Sequence, residues 1–309
     1  MKDFSFAPVV VPQNGFAVLP QSCVHLYAEL ETPILTFACG ASNEVRERLI
    51  ELERQGQIRL IDREHSDLLT SMEMRNLASH LVETDFILYL DSDVRVTRQG
   101  IMDLIQSAED SNAHFVSPML TRNGRVRFGG FQLRSIHRAN GDLGRLKLFD
   151  RDVNCKASEV APGIIQSDGV DFSCFLARTQ TLKDAFKGWD ERMLGLEIFD
   201  FALRARFHKL DVIVNSYVRF ESCSVQSFDT ADRVYRAFCS ADPFRMLAKD
   251  AFEFKWSASV PMDNSMPRAR KRDVFLRRSL QHRIDNALTR IARYQAPEPK
   301  SPWRELLLG

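Results

Sequence analysis

Two aspartates one residue apart, Asp91 and Asp93, close the run FILYLDSDVRV at residues 86–96. Five apolar residues, Phe86 to Leu90, precede them, so the pair stands where a buried strand ends. Carboxylates at this spacing suit a hard divalent cation, Mn²⁺ or Mg²⁺, which takes oxygen ligands and accepts water in its remaining positions. If a diphosphate supplied further oxygens, the ion could bridge protein and phosphate and stabilise charge on a departing phosphate. Two acids after a strand are as often merely solvated, and spacing alone does not separate the two cases.

The elements that must hold this pair are legible around it. FAPVVVP, TPILTFA, QIRLID and FILYLD have strand character, and between them lie three helical stretches. FAVLPQSCVHLYAEL carries a Pro near its start. SNEVRERLIELERQG has Ser42 or Asn43 as its cap and Gly56 at its end, and SMEMRNLASHLVET is opened by Ser71. Strands separated by helices imply parallel pairing with right-handed crossovers, hence an α/β doubly wound sheet. Ligands of such sheets bind beyond the carboxyl ends of the strands, where Asp91 and Asp93 fall. Further on, HFVSPMLTRNGRVRFGGFQLRS is divided by RNGR and GG, predicting a hairpin or added antiparallel strands. Residues 139–167 are polar and predict a long binding or lid loop. VDFSCFLAR returns to strand, LEIFDFALRARFHK to helix and DVIVN to strand.

Composition sets the bounds. The 309 residues are 44% hydrophobic and 27% charged, which suits a soluble globular chain and argues against a disordered or fibrous one. No window approaches the ~20 apolar residues of a membrane helix. The opening MKDFSFAPVVVPQNG lacks the parts of a signal peptide. The six cysteines form no C-x-x-C pair and read as reduced thiols of a cytoplasmic protein, without a zinc site. Residues 267–293 hold nine Lys or Arg against Asp273 and Asp285, a net of +7 that leaves −6 elsewhere in a chain totalling +1. There Leu276, Leu280, Ile284, Leu288 and Ile291 recur at helical spacing, with Arg277, Arg278, Arg283 and Arg290 around them. Such a helix could dock on the body of the chain or on a second subunit, or lie on an anionic membrane surface. Nucleic acid is not an expected partner, since no aromatic platform accompanies the charge.

One known phosphatase type, the haloacid dehalogenases, also ends a strand in D-x-D. It places the pair near the N-terminus and a Thr or Val two residues after the second acid; here three strands come first and Arg95 holds that place. Read in order, the chain instead resembles the family-2 glycosyltransferases of GT-A fold. VVVPQNG (9–15) looks like that family's first strand and P-x-Y-N turn, and ILTFACGAS (34–42) sits where it has a strand ending in D-D-G-S. MRNLASHLVETDFILYLDSDV (74–94) matches the helix, corner and D-x-D, and GWDERMLGLEIFDFALRARFHKLDVIV (188–214) resembles G-F-D-E followed by E-D-x-D-L-x-x-R. The matching blocks span roughly residues 6–220.

The resemblance implies a mostly parallel GT-A (Rossmann-like) sheet with added antiparallel strands. Residues 1–225 would be the catalytic domain, with a donor half at 1–97 and an acceptor half at 98–225, and 226–309 a basic helical extension. It implies metal-dependent, inverting transfer from a nucleotide-diphosphate sugar, a UDP-sugar by assumption, to a glycan, lipid, protein or small-molecule hydroxyl. Pro12, Gln13 and Asn14 would line the base pocket, and Arg75 and Asn76 the ribose or diphosphate. Asp91 would touch ribose or a metal-bound water, and Asp93 the metal. Glu197 and Asp200 fall on the motif that supplies the general base, though acids also favour any helix start. Trp189, Asp190 and Glu191 lie on the acceptor segment; Trp189 could stack on a sugar or pack on the sheet. Three departures stand against the pattern. Ala38-Cys39-Gly40-Ala41 replaces D-D-G-S, Ile198 replaces an acid, and SYVRFESCSV lacks the metal-binding His, for which Glu221 could stand in. A non-catalytic sugar-nucleotide-binding or scaffold protein of the same fold is therefore the alternative.

Overall fold

The computed structural model describes residues 4–12, 16–62, 68–136, 145–223, 229–256, 258–260 and 274–292. The first half alternates strand and helix: β1 (Phe6–Val10), α1 (Leu19–Leu30), β2 (Ile34–Phe37), α2 (Asn43–Arg54), β3 (Ile58–Ile61), α3 (Ser71–Leu81) and β4 (Phe86–Leu90). β5 (Val94–Arg95) and α4 (Arg98–Asp110) lead into β6 (Phe115–Arg122), β7 (Arg125–Phe128), β8 (Phe131–Ile136), β9 (Arg145–Asp150) and β10 (Ile164–Gln166). Then come β11 (Cys174–Arg178), α5 (Thr179–Asp184), α6 (Glu197–Phe207) and β12 (Val212–Ser222), followed by α7 (Thr230–Cys239), α8 (Asp242–Trp256) and α9 (Val274–Ala292).

The main sheet runs β10-β12-β6-β11-β4-β1-β2-β3, with β5 on β12 and β7 on β6. β3, β2, β1 and β4 are parallel, β11 is antiparallel to both its neighbours, and β12 is again parallel to β6. All five residues of β4 are buried, as befits a strand covered on both faces. From β1 the chain winds outward through β2 and β3, then returns to place β4 on the other side of β1. The topological switch point therefore lies between β2, β1 and β4, and the crevice beyond their carboxyl ends is the natural ligand position.

Two local expectations change. The cap of α3 is Thr70, not Ser71: Thr70 accepts from Glu73 N while the Glu73 side chain accepts from Thr70 N, a complete capping box. Residues 139–167 are not one long loop; they contain β9, which pairs with β8 in a separate hairpin, and β10, which extends the main sheet beside β12. The apolar stripe of α9 is spent inside the chain, with Leu280, Ile284 and Ile291 buried and Leu288 packed against the core. Arg290 fastens it to α3 and the segment before, donating to Glu73 Oε1 at 2.9 Å and to the Leu68 carbonyl at 2.6 Å. The side chains of Leu276, Arg277 and Arg278 lie outside the described ones. Among the described residues no helix is long and apolar enough to cross a membrane. None of the six cysteines is in a disulfide.

Candidate functional site

The end of β4 sets the site. Asp91 N donates to the Ser173 carbonyl at 2.8 Å, extending the β4–β11 ladder by one residue. The Asp91 side chain then turns back, its Oδ1 accepting from Ser92 N at 2.8 Å, and the residue is 2% exposed. β5 swings the chain across to β12, and Cys223 N donates to the Asp93 carbonyl at 2.7 Å. That contact puts the Asp93 side chain beside Ser222. Asp93 Oδ2 accepts from Ser222 Oγ at 3.3 Å and lies 3.7 Å from Arg122 Nη2. Asp93 Oδ1 is buried without a hydrogen-bond partner. Burial raises the Asp93 carboxyl, while the charges of Arg127 and Arg122 pull it down.

Five residues of this cluster, Arg122, Arg127, Ser222, Ser173 and Asp171, were not singled out from the sequence. Arg122 ends β6 and Arg127 lies on β7, and both donate to the same hydroxyl, Ser222 Oγ, at 3.0 and 2.6 Å. Arg127 also donates to Ser173 Oγ at 2.8 Å and stands 3.8 Å from Asp171. The alternation of Arg125, Val126 and Arg127 was a visible signal that one strand face is basic. What it could not show is the neighbour across the sheet. Ser222 and Glu221 point to opposite faces of β12, Ser222 buried and Glu221 exposed, so the hydroxyl and not the carboxylate reaches Asp93.

A second group lies under Asp91. Arg75 on α3 is 1% exposed; it donates to the Phe172 carbonyl at 3.0 Å and to the Ser71 carbonyl at 3.4 Å, and sits 4.9 Å over the Phe172 ring. Its Nε has no partner. Burial works against its charge, and the facing acids Glu197 and Asp91 oppose that effect. Glu197 is the first residue of α6, where no side chain caps the helix. Its Oε2 is buried and unpartnered. Burial pushes the Glu197 carboxyl up, against backbone N–H groups at Glu197 and Gly195 and the charge of Arg75.

The other predicted residues are placed differently. Asn76 is buried and clamps the 189–191 segment: its Nδ2 donates to the Trp189 carbonyl and to Glu191 Oε1, both at 2.8 Å, and its Oδ1 accepts from Trp189 N at 2.5 Å. Both of its donors are thereby engaged within the protein. Trp189 is 2% exposed and packs among Tyr89, Phe172, Phe175, Phe186 and Phe201, so its ring belongs to the core. Asp190 takes Arg192 at 2.9 Å and Lys255 at 3.0 Å. Burial would raise its carboxyl, but these two cations outweigh that and hold it down at about 2. Asp200 is 3% exposed; its Oδ1 accepts from Lys255 Nζ at 2.7 Å and Trp256 Nε1 at 2.8 Å, with Arg204 3.8 Å from its other oxygen. It anchors α8 to the sheet domain and has no open side.

At the switch point itself, Pro12 is buried at the end of β1, while Gln13 and Asn14 lie outside the described residues. Ala38, Cys39 and Ala41, in the place of the D-D-G-S acids, are at most 3% exposed. They are covered from α7: the Tyr235 and Phe16 rings meet edge to face at 5.0 Å, Tyr235 Oη donates to the Leu69 carbonyl at 3.0 Å, and Asp232 accepts from Phe16 N at 2.5 Å. Gly40 has φ +119°, and a Cβ there would stand 3.0 Å from Phe16 and 3.1 Å from Tyr235. Only glycine lets the backbone come this close in that conformation.

The donor set fits a cation that a diphosphate completes rather than one caged by protein. Asp93 Oδ1 is a buried carboxylate oxygen without a partner, and Asp91 stands two residues before it, its Oδ1 held by Ser92 N. Among the described residues no three His, Cys, Asp or Glu side chains gather closely enough to hold an ion alone.

No protein-family profile and no curated protein matches the chain. Solved structures do. GalNAc-T7, crystallised with UDP, GalNAc and Mn²⁺, superposes with a TM-score of 0.55 at 11% identity over 96% of this chain. The chain spans 58% of that structure's length. Residues 1–349 of S. aureus TarS, in complex with UDP-GlcNAc, superpose with a TM-score of 0.51 at 13% identity, covering 96% of this chain and 93% of that one. These likenesses show the GT-A fold.

Proposed function

We propose that the chain transfers a sugar from a nucleotide-diphosphate sugar to an acceptor hydroxyl, with inversion and with Glu197 as the general base. The observation that carries this reading is a pair of buried, unpartnered carboxylate oxygens, Asp93 Oδ1 beyond the end of β4 and Glu197 Oε2 at the start of α6. Native proteins rarely leave such atoms unsatisfied, and a bound water or ion or a catalytic role accounts for many of the exceptions. The fold supports it too, since both structural neighbours above bind UDP or a UDP-sugar.

In this reading Glu197 takes the proton of the acceptor hydroxyl as its oxygen bonds to the anomeric carbon. The carbon–oxygen bond to the diphosphate breaks, and the electron pair leaves with the phosphate. Asp91 and Asp93 would hold Mn²⁺ or Mg²⁺ shared with the donor, and the ion would stabilise the departing charge. The Arg75 charge faces both Asp91 and Glu197 and opposes the burial that raises the Glu197 carboxyl. Asn76 acts through the 189–191 segment, which it orients, and Glu191 is that segment's acceptor-facing candidate. Glu197 is the stronger candidate for the base because Asp200 is fully engaged by Lys255 and Trp256. A UDP-sugar donor, a glycan, lipid, protein or small-molecule acceptor and a cytoplasmic setting complete the proposal.

One observation favours a second reading, a non-catalytic sugar-nucleotide-binding or scaffold protein: Phe16 and Tyr235 fill the crevice where a nucleoside would enter. Calorimetric titration of UDP-GlcNAc and other nucleotide-diphosphate sugars, with Mn²⁺ and with chelator, on wild type and Asp93→Ala, separates the two. Donor binding that fails in Asp93→Ala, with product release that fails in Glu197→Gln, supports the transferase. Binding to no donor overturns it.

A further inference from the structure

Arg122 and Arg127 are held in an unusual way. Two guanidinium groups converge on one neutral oxygen, Ser222 Oγ, although like charges repel and each has an acid nearby. Neither acid is at the 2.7–2.9 Å of a charge-assisted hydrogen bond: Arg122 is 3.7 Å from Asp93 and Arg127 is 3.8 Å from Asp171. Arg122 Nε is buried without a partner. Both side chains keep solvent access, at 42% and 31%. A hairpin staple would close these forks on the acids. What remains is two planar, permanently charged groups side by side at the D-x-D, each with N–H donors to spare.

We propose that Arg122 and Arg127 grip the two phosphates of the donor, with Ser222 and Asp93 holding the forks in place until the phosphates arrive. The inference rests on the donor reading above and adds the residues that bind the charge. Adjacent phosphates offer several anionic oxygens a few ångströms apart, matching two neighbouring forks, and each Arg–phosphate contact can be bidentate. Diphosphate affinity then has a source in the protein itself, and Asp93 competes with phosphate for Arg122 when no cation is bound.

Calorimetry with inorganic pyrophosphate, UDP and UDP-GlcNAc tests this, in chelator and in Mn²⁺, on wild type and on the Arg122→Gln, Arg127→Gln, Arg122→Lys and Asp93→Asn variants. Thermal melts establish that each is folded. Wild type binds pyrophosphate in chelator, and each Gln variant weakens it by about tenfold or more, the size of a lost charged hydrogen bond. Arg122→Lys recovers part of the loss, and Asp93→Asn strengthens binding in chelator, which a purely structural arginine would not produce. Pyrophosphate affinity unchanged in both Gln variants, or absent from wild type, overturns the inference. The two readings fail separately. Arginine-independent binding of UDP-GlcNAc leaves the transferase and removes the grip; arginine-dependent pyrophosphate binding without donor turnover does the reverse.

Discussion

Glu197 and Asp200 are three residues apart on one helix, and their surroundings predict opposite consequences of removing each. Asp200→Ala deletes the buried acceptor of Lys255 Nζ (2.7 Å) and Trp256 Nε1 (2.8 Å), with side-chain exposures of 5% and 7% at the Asp200–Lys255 pair. Breaking a buried ion pair by removing one partner costs about 3–5 kcal/mol. Lys255 keeps Asp190 at 3.0 Å, so the low end applies, about 3 kcal/mol. In a domain of this size that lowers Tm by roughly 6–12 °C. Glu197→Gln should behave in the reverse manner. Burial already disfavours its charge, Oε2 has no partner and Arg75 keeps the facing Asp91, so an amide of the same shape should cost only about 1 kcal/mol. Turnover should instead fall by about 10²–10⁴, the contribution of a positioned base. Melting curves and release of nucleoside diphosphate from a donor with an acceptor panel read both quantities. An Asp200→Ala protein that melts like wild type but has lost turnover would move the base to Asp200 and refute the reasoning.

The burial that raises the Glu197 carboxyl above its ordinary 4.5 also fixes the pH profile. As the proposed base Glu197 would work ionised, so kcat/KM should fall as pH drops through a value above 4.5, and a rate constant down to that pH would contradict the proposal. Stability moves the other way: an acid whose folded value is raised gains stability as pH falls through it, a gain that Glu197→Gln should lack in acid melts. Asp190 has the opposite sign. Held at about 2 against an ordinary 3.8, it contributes about 2 kcal/mol that is present above 3.8 and lost as pH falls toward 2. Lys255→Met, which leaves only Arg192 on that carboxylate, should start acid unfolding at higher pH in circular dichroism. Arg290→Ala removes the bonds to Glu73 and Leu68 and should cost about 1–3 kcal/mol. Amide exchange should then speed up in α9 while β4 stays protected; unchanged exchange in α9 would mean its apolar face alone holds it.

How far the sequence could be read depended on the distance over which each feature is decided. β4 is an unbroken apolar run ending in two acids, and alternating strands and helices put that end at the ligand edge; every step there is local. Thr70 was legible as well, since Glu73 lies three residues on, yet Ser71 is an equally good cap by type and only the spacing separates them. The acids of α6 could not be sorted locally, because what distinguishes them is Lys255 and Trp256, more than fifty positions away. The same holds at the crevice. Ala38-Cys39-Gly40-Ala41 showed that the usual carboxylates are missing, but not that Tyr235 and Asp232 of α7 close over the gap, because the Asp232–Phe16 contact spans 216 positions. The charge beside Asp93 was hidden by register. Ser222 falls next to it only through the β5–β12 pairing, and the β6–β12 and β6–β7 pairings, each with a register shift, bring Arg122 and Arg127 onto the same hydroxyl. A D-x-D is thus a local motif whose electrostatic meaning is set by partners from three other strands. On the proposed donor reading, the same two acids with apolar residues at 122 and 127 would depend on a bound cation for all of their attraction to phosphate; with arginines there, the protein would carry part of that attraction itself.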